Sequence, residues 1–222
     1  MFTPVDLTGF ERRTGIDRRA FAGSWTEADK IVSLRDVRQV LAVQAMPRDY
    51  LKLLLESVTL VGDPTARPFA GKRIQTLRMD PHGVMVGQTF IERRKYVDLL
   101  ERFPDVFGEF CMTKGIAKLT AQIVLGRLAD GTVVLAHYVP PIVEQHGDTA
   151  VLMDGVHRNF LIRMSGTTIE TVLIHGVDVP FPATPQRWDV VKPVDVKPPP
   201  EERFFDLRRD LFRDVKASGI DG

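Results

Sequence analysis

A single cysteine, Cys111, stands among 222 residues, so the chain can form no internal disulfide, in keeping with a reducing compartment. Long apolar runs are also missing. Nothing approaches the roughly 18 residues needed to span a bilayer, and the start of the chain lacks the basic and apolar segments of a secretory leader. The expectation is a cytoplasmic protein with no membrane partner. Neither sign of charge prevails, with 30 Lys and Arg against 29 Asp and Glu; this excludes a strong overall field towards nucleic acid or anionic lipid and leaves only local patches. No Gly-x-x-x-x-Gly-Lys loop occurs, which removes the P-loop class of nucleotide site. His82, His137, His146 and His175 have no metal-ligand spacing with one another or with Cys111, so no metal site is expected. What is present, 44% hydrophobic and 27% charged residues, is the composition of one globular domain with appendages.

Residues 1–23 set Arg12, Arg13, Arg18 and Arg19 among Gly, Thr and acidic side chains, with few apolar positions, and read as a flexible basic arm. Ser24-Trp25-Thr26-Glu27 has the form of a capping box, and Ile31, Leu34, Val37 and Leu41 follow at helical spacing. Pro47 suits a first helical position ahead of the stripe Tyr50, Leu51, Leu54 and Leu55. Residues 24–66 therefore read as an N-terminal helical region.

From Arg73 the apolar period becomes two, and residues 73–80 and 84–90 read as a hairpin turning at Asp80-Pro81-His82-Gly83. A helix through Tyr96, Val97, Leu99, Leu100 and Phe103 is expected to end before Pro104. Strands follow over 121–128 and 132–138 about the Asp130-Gly131 turn, then over 142–144 and 149–153 about His146-Gly147-Asp148. The predicted fold class is α+β, a compact mixed sheet with flanking helices over residues 67–191. Residues 192–222 read as a Pro-rich linker and an amphipathic helix carrying Phe204, Leu207, Leu211 and Val215, suited to docking on its own core or to pairing two copies as a homodimer.

The chemistry concentrates at one turn. Val151-Leu152-Met153 suits a buried strand, Asp154-Gly155 stops it, and Phe160, Leu161, Ile162 and Met164 supply a short helix that Gly166 ends before a β-branched run to Ile174. A helix beginning at such a turn directs unpaired N–H groups and its positive dipole end outward, which stabilises an anion. Arg158 can grip a phosphate bidentately, and His157 can donate or shuttle a proton near neutral pH. Asp154 can cap the helix, or hold Mg²⁺ or a substrate hydroxyl. Glu92 and Glu144 are possible second acids.

The run from Pro141 to Ile174, with Asp154-Gly155-Val156-His157-Arg158 between its strand and helix, resembles the ParB/sulfiredoxin superfamily. The hairpin and helix expected over 73–103 then correspond to that family's first strand and helix. Sulfiredoxins look like Gly-Cys-His-Arg here, and Val156 fills the place of their cysteine. Partition-type ParB proteins look like Gly-Glu-Arg-Arg, which matches Gly155 and Arg158 and puts His157 where they have Arg. The nearest branch is the free-serine-kinase type, Asp-Gly-His-His-Arg, which matches Asp154, Gly155, His157 and Arg158 and departs at Val156. The resemblance implies a compact α/β domain binding ATP or CTP with Mg²⁺, with Gly155, His157 and Arg158 on phosphate and Asp154 and His157 in catalysis. The implied activity is phosphotransfer to a small hydroxyl acceptor or nucleotide hydrolysis. The alternative is a non-catalytic nucleotide-controlled switch, or a DNA-binding partition-type protein using the basic arm.

Overall fold

The computed structural model describes residues 2–17 and 27–220. Ser24, Trp25 and Thr26 of the expected capping box, Arg18 and Arg19, and the side chain of Cys111 lie outside the described part.

The chain opens with strand β1 (Val5–Asp6) and helix α1 (Leu7–Thr14). Asp6 caps the helix by accepting from the Gly9 N–H at 2.7 Å, and Leu7, Phe10 and Thr14, one helical face, are buried. Residues 5–14 are thus part of the fold rather than a flexible arm. Arg13 donates to the Ala217 carbonyl, so this arginine of the expected basic arm is engaged within the fold.

The helix expected over Ile31 to Leu41 is likewise absent. In its place are strand β2 (Lys30–Ile31), a turn, and strand β3 (Gln39–Ala45). Ile31, Leu34 and Val37 are buried, but by sheet pairing: Ile31 lies opposite Leu135, and Arg38 donates to the Arg127 carbonyl at 2.8 Å. The same apolar positions serve either geometry, and tertiary pairing decides. Helix α2 (Arg48–Glu56) forms as expected, with Tyr50, Leu51, Leu54 and Leu55 inward and Pro47 just outside it as N-cap.

Strands β7 (Gln122–Arg127) and β8 (Val133–Tyr138) form the predicted hairpin and complete a first sheet in the order β1-β2-β8-β7-β3. A second sheet gathers β4 (Arg73–Met79), β5 (Met85–Val86), β9 (Ile142–His146), β10 (Thr149–Asp154) and β11 (Ile169–His175) in the order β4-β11-β9-β10-β5. The hairpin expected over 73–90 is therefore wrong. A 3-10 turn at Pro81–Gly83 leads from β4 at one edge to β5 at the other, where β5 pairs parallel with β10.

Strand β6 (Phe90–Glu92) leads into helix α3 (Arg93–Lys114), which passes Pro104 and kinks at Phe107 (φ −114°, ψ 23°). The helix continues because Phe103 and Phe107 both pack on Tyr138, with ring centroids 5.3 and 5.4 Å away. Helix α4 (Val156–Met164) joins β10 to β11. The result is mixed α+β, and among the described residues no helix is long and apolar enough to cross a membrane.

The expected terminal amphipathic helix does not form. After strand β12 (Lys192–Val194), which pairs with β6, the helical elements among the described residues are helix α5 (Pro200–Arg203) and a 3-10 turn at Arg209–Leu211. Asp206 adopts φ +52°, which breaks any helix there, and Phe205 is exposed. This segment is a strap tied back to the core: Val61 N–H donates to the Phe212 carbonyl and Asp214 N–H to the Thr59 carbonyl, each at 2.8 Å. The helical surface suggested for a homodimer is thus absent.

Candidate functional site

Strand β10 ends at Asp154, α4 begins at Val156, and Gly155 between them holds φ at +86°. A Cβ there would stand 2.9 Å from both Cα and Cβ of Pro141, so glycine is needed for the backbone angle and for the close approach to the β8–β9 connection. No side chain caps α4. Its first turn, Val156, His157 and Arg158, lines a solvent-open cavity of about 350 Å³, so the amide-rich end of the helix borders that space.

The two basic side chains of the turn are placed differently from the sequence expectation. Arg158 is only 6% exposed. It donates to the Val139 carbonyl, donates to Asp154 Oδ2 at 3.1 Å, and stacks on the Tyr138 ring with its guanidinium carbon 5.2 Å from the centroid. It holds the turn together and cannot act as a free bidentate clamp, although it still borders the cavity. His157 Nε2 accepts from the Glu92 N–H at 3.2 Å. Burial, then the charges of Lys197, Lys95, Arg35 and Arg158, push its pKa down to about 3. The imidazole is therefore neutral at physiological pH, which corrects its reading as a cation or a proton shuttle near pH 7.

The possible second acids are also accounted for. Glu144 is fully buried and receives a two-pronged bond from Arg213, Nε to Oε1 at 2.8 Å and Nη2 to Oε2 at 2.7 Å, with His146 Nε2 a further 2.8 Å from Oε2. Its role is to anchor the strap. Glu92 lies 3.8 Å from Lys95 at the start of α3.

What the sequence did not reveal is the source of positive charge. Arg35, Lys95, Lys197 and Lys216 line the same cavity from positions distant in sequence, and among the described residues that line it Asp154 is the one carboxylate, already paired with Arg158. Among the described residues no carboxylate forms an ion pair with Arg35, Lys197 or Lys216. Burial, followed by Arg203 and Lys95, lowers the Lys197 pKa to about 8. Phe181, ahead of β12, and Phe204 and Phe212 of the strap add aromatic lining, the last two with centroids 5.4 Å apart. Gln88 also lines it. Like charges gathered on one lining repel, and an anion in their midst reverses the sign.

Comparison with protein-family models, with curated proteins and with solved structures yields no match to this chain.

Proposed function

We propose that this protein binds a nucleotide, ATP or CTP, with the phosphates at the N-terminus of α4 and the base against the phenylalanine lining. The observation that carries this reading is the cationic lining of the cavity, in which Arg35, Lys197 and Lys216 form no ion pair among the described residues, set against one engaged carboxylate and a helix start without a side-chain cap. A volume of about 350 Å³ lies within the usual span of small-molecule sites, roughly 300–1,000 Å³. The ParB/sulfiredoxin resemblance is part of the same proposal. It is supported by the order β10, Gly155 turn, α4, β11, which brings Gly155, His157 and Arg158 to the cavity.

Binding is favoured over phosphoryl transfer. Asp154 is held by Arg158, His157 is neutral with Nε2 engaged, and among the described residues no group of three His, Cys, Asp or Glu side chains is placed to hold a metal ion. Mg²⁺ would therefore be held chiefly by the nucleotide's own phosphates rather than by a protein cage, and no catalytic step is assigned to Asp154 or His157.

Thermal unfolding with ATP, CTP and GTP, each with and without Mg²⁺, tests the proposal. Ligand at a hundred times its Kd adds about 2.7 kcal/mol to stability, roughly 5–10 °C in Tm for a chain of this size. Lys197→Ala with Lys216→Ala should weaken the response at least about tenfold in concentration, an order-of-magnitude expectation for two charge-assisted contacts. Absence of any shift with all three nucleotides at millimolar concentration would sink the reading.

A further inference from the structure

Lys197 stands apart from the other cations of the cavity. It follows β12 at the start of the strap, is partly buried, and makes no ion pair among the described residues. The groups acting on it are Arg203 and Lys216 from the strap and Lys95 from α3, with Glu92 of β6 as the one opposing charge. A lysine that is desolvated and set beside other cations is the arrangement that keeps an amine unprotonated and nucleophilic. The remaining cations and the first turn of α4 line the same cavity, so an anionic ligand held there shares it with this amine.

We propose that Lys197 is a covalent modification site of the cavity, condensing with the carbonyl of a phosphate-bearing aldehyde. The inference rests on the anion-binding reading given above. In this step the unprotonated Nζ attacks the carbonyl carbon, the carbinolamine forms, and loss of water leaves a C=N bond. The two protons of the amine leave with the carbonyl oxygen as that water, and no electrons are exchanged. Phosphate binding raises the local concentration of the aldehyde at Nζ. With a pKa of about 8, half the amine is free at pH 8, against roughly 0.3% for an ordinary lysine, an advantage of roughly a hundredfold. An adduct on Lys197 fills the cavity and so blocks nucleotide.

Pyridoxal 5′-phosphate is a suitable probe. The full chain is incubated with it at pH 8, the imine is reduced with borohydride, and modified lysines are mapped by mass spectrometry. Unphosphorylated pyridoxal serves as one control and tripolyphosphate as competitor. The expected result is one dominant adduct on Lys197, at least tenfold faster with the phosphorylated aldehyde and suppressed by tripolyphosphate. Lys197→Arg should lose the adduct, while the thermal response of the unsubstituted chain to tripolyphosphate reads the anion site separately. Equal labelling by both aldehydes, or labelling of Lys95, Lys216 or surface lysines with Lys197 spared, overturns the proposal. If tripolyphosphate still raises Tm in that case, the anion site stands and only the lysine chemistry falls. If it does not, both fall.

Discussion

The Arg213 guanidinium donates to both oxygens of Glu144 and to the carbonyls of Pro180, Leu211 and Val179, with both charged groups fully buried. Removing one partner leaves a charge stranded away from water, so Arg213→Ala should lower stability by about 3–5 kcal/mol, read as a drop in urea midpoint. Replacing both partners, Glu144→Met with Arg213→Met, should recover much of that loss, because the desolvation cost disappears with the charges. A double variant no more stable than Arg213→Ala would show that the backbone bonds to the strap outweigh the ion pair.

His137 offers a second test at this scale. It is buried, with Nδ1 3.1 Å from the Gly219 carbonyl and Nε2 2.7 Å from the Tyr50 hydroxyl, and burial pushes its pKa down to about 4. The carbonyl can only accept, so Nδ1 donates and Nε2 accepts from Tyr50. The unfolded chain, with histidine near 6.5, binds more protons than the folded one between about pH 4 and 6.5, so stability is complete above that window and is lost as pH falls through it. His137→Gln should flatten this fall between pH 7 and 4.5, removing at most about 3 kcal/mol of pH-dependent stability. An unchanged slope would assign the acid sensitivity elsewhere, with His157 the next candidate.

Among the elements, the β10–α4 turn makes the sharpest demand on its sequence. Gly155→Ala forces a side chain into a left-handed backbone angle and against Pro141, at a cost of about 3 kcal/mol. If nucleotide is held by the α4 amides, the same change should weaken its binding even where the variant remains folded; unchanged affinity would move the phosphates off this helix. This element was legible in the sequence because its determinants are local: a stop at Asp154-Gly155, an apolar helix face, and Gly166 at φ +67° before β11. Helix α2 and the β7–β8 hairpin were legible for the same reason. The strand at β3 and the strap were not. Ile31, Leu34 and Val37 satisfy helical spacing on paper, while pairing with residues near 127 and 135 decides otherwise. The apolar positions from Phe204 to Val215 mimic a helix in a segment held extended by bonds to residues near 60 and 144. The cationic lining was illegible for the same cause, since no local pattern links residues 35, 95, 197 and 216.

Taken as a whole, the molecule borders its cavity with the strap, which supplies Phe204 and Phe212 together with Lys197 and Lys216. A ligand there should tie the strap to α4, so limited proteolysis between residues 195 and 212 should slow in the presence of nucleotide, by the factor its binding stabilises the closed form. Cleavage at an unchanged rate would uncouple strap and site. Finally, the first sheet sets Ile31 of β2 against Leu135 of β8, while Val5 of β1 lies beside Ile31. A sheet assembled from such separated stretches must close a large loop before any contact rewards it. Refolding from urea is therefore expected in milliseconds to seconds rather than microseconds. Substitutions along β2 that leave that rate unchanged while hastening unfolding would place the docking of this strand after the rate-limiting barrier.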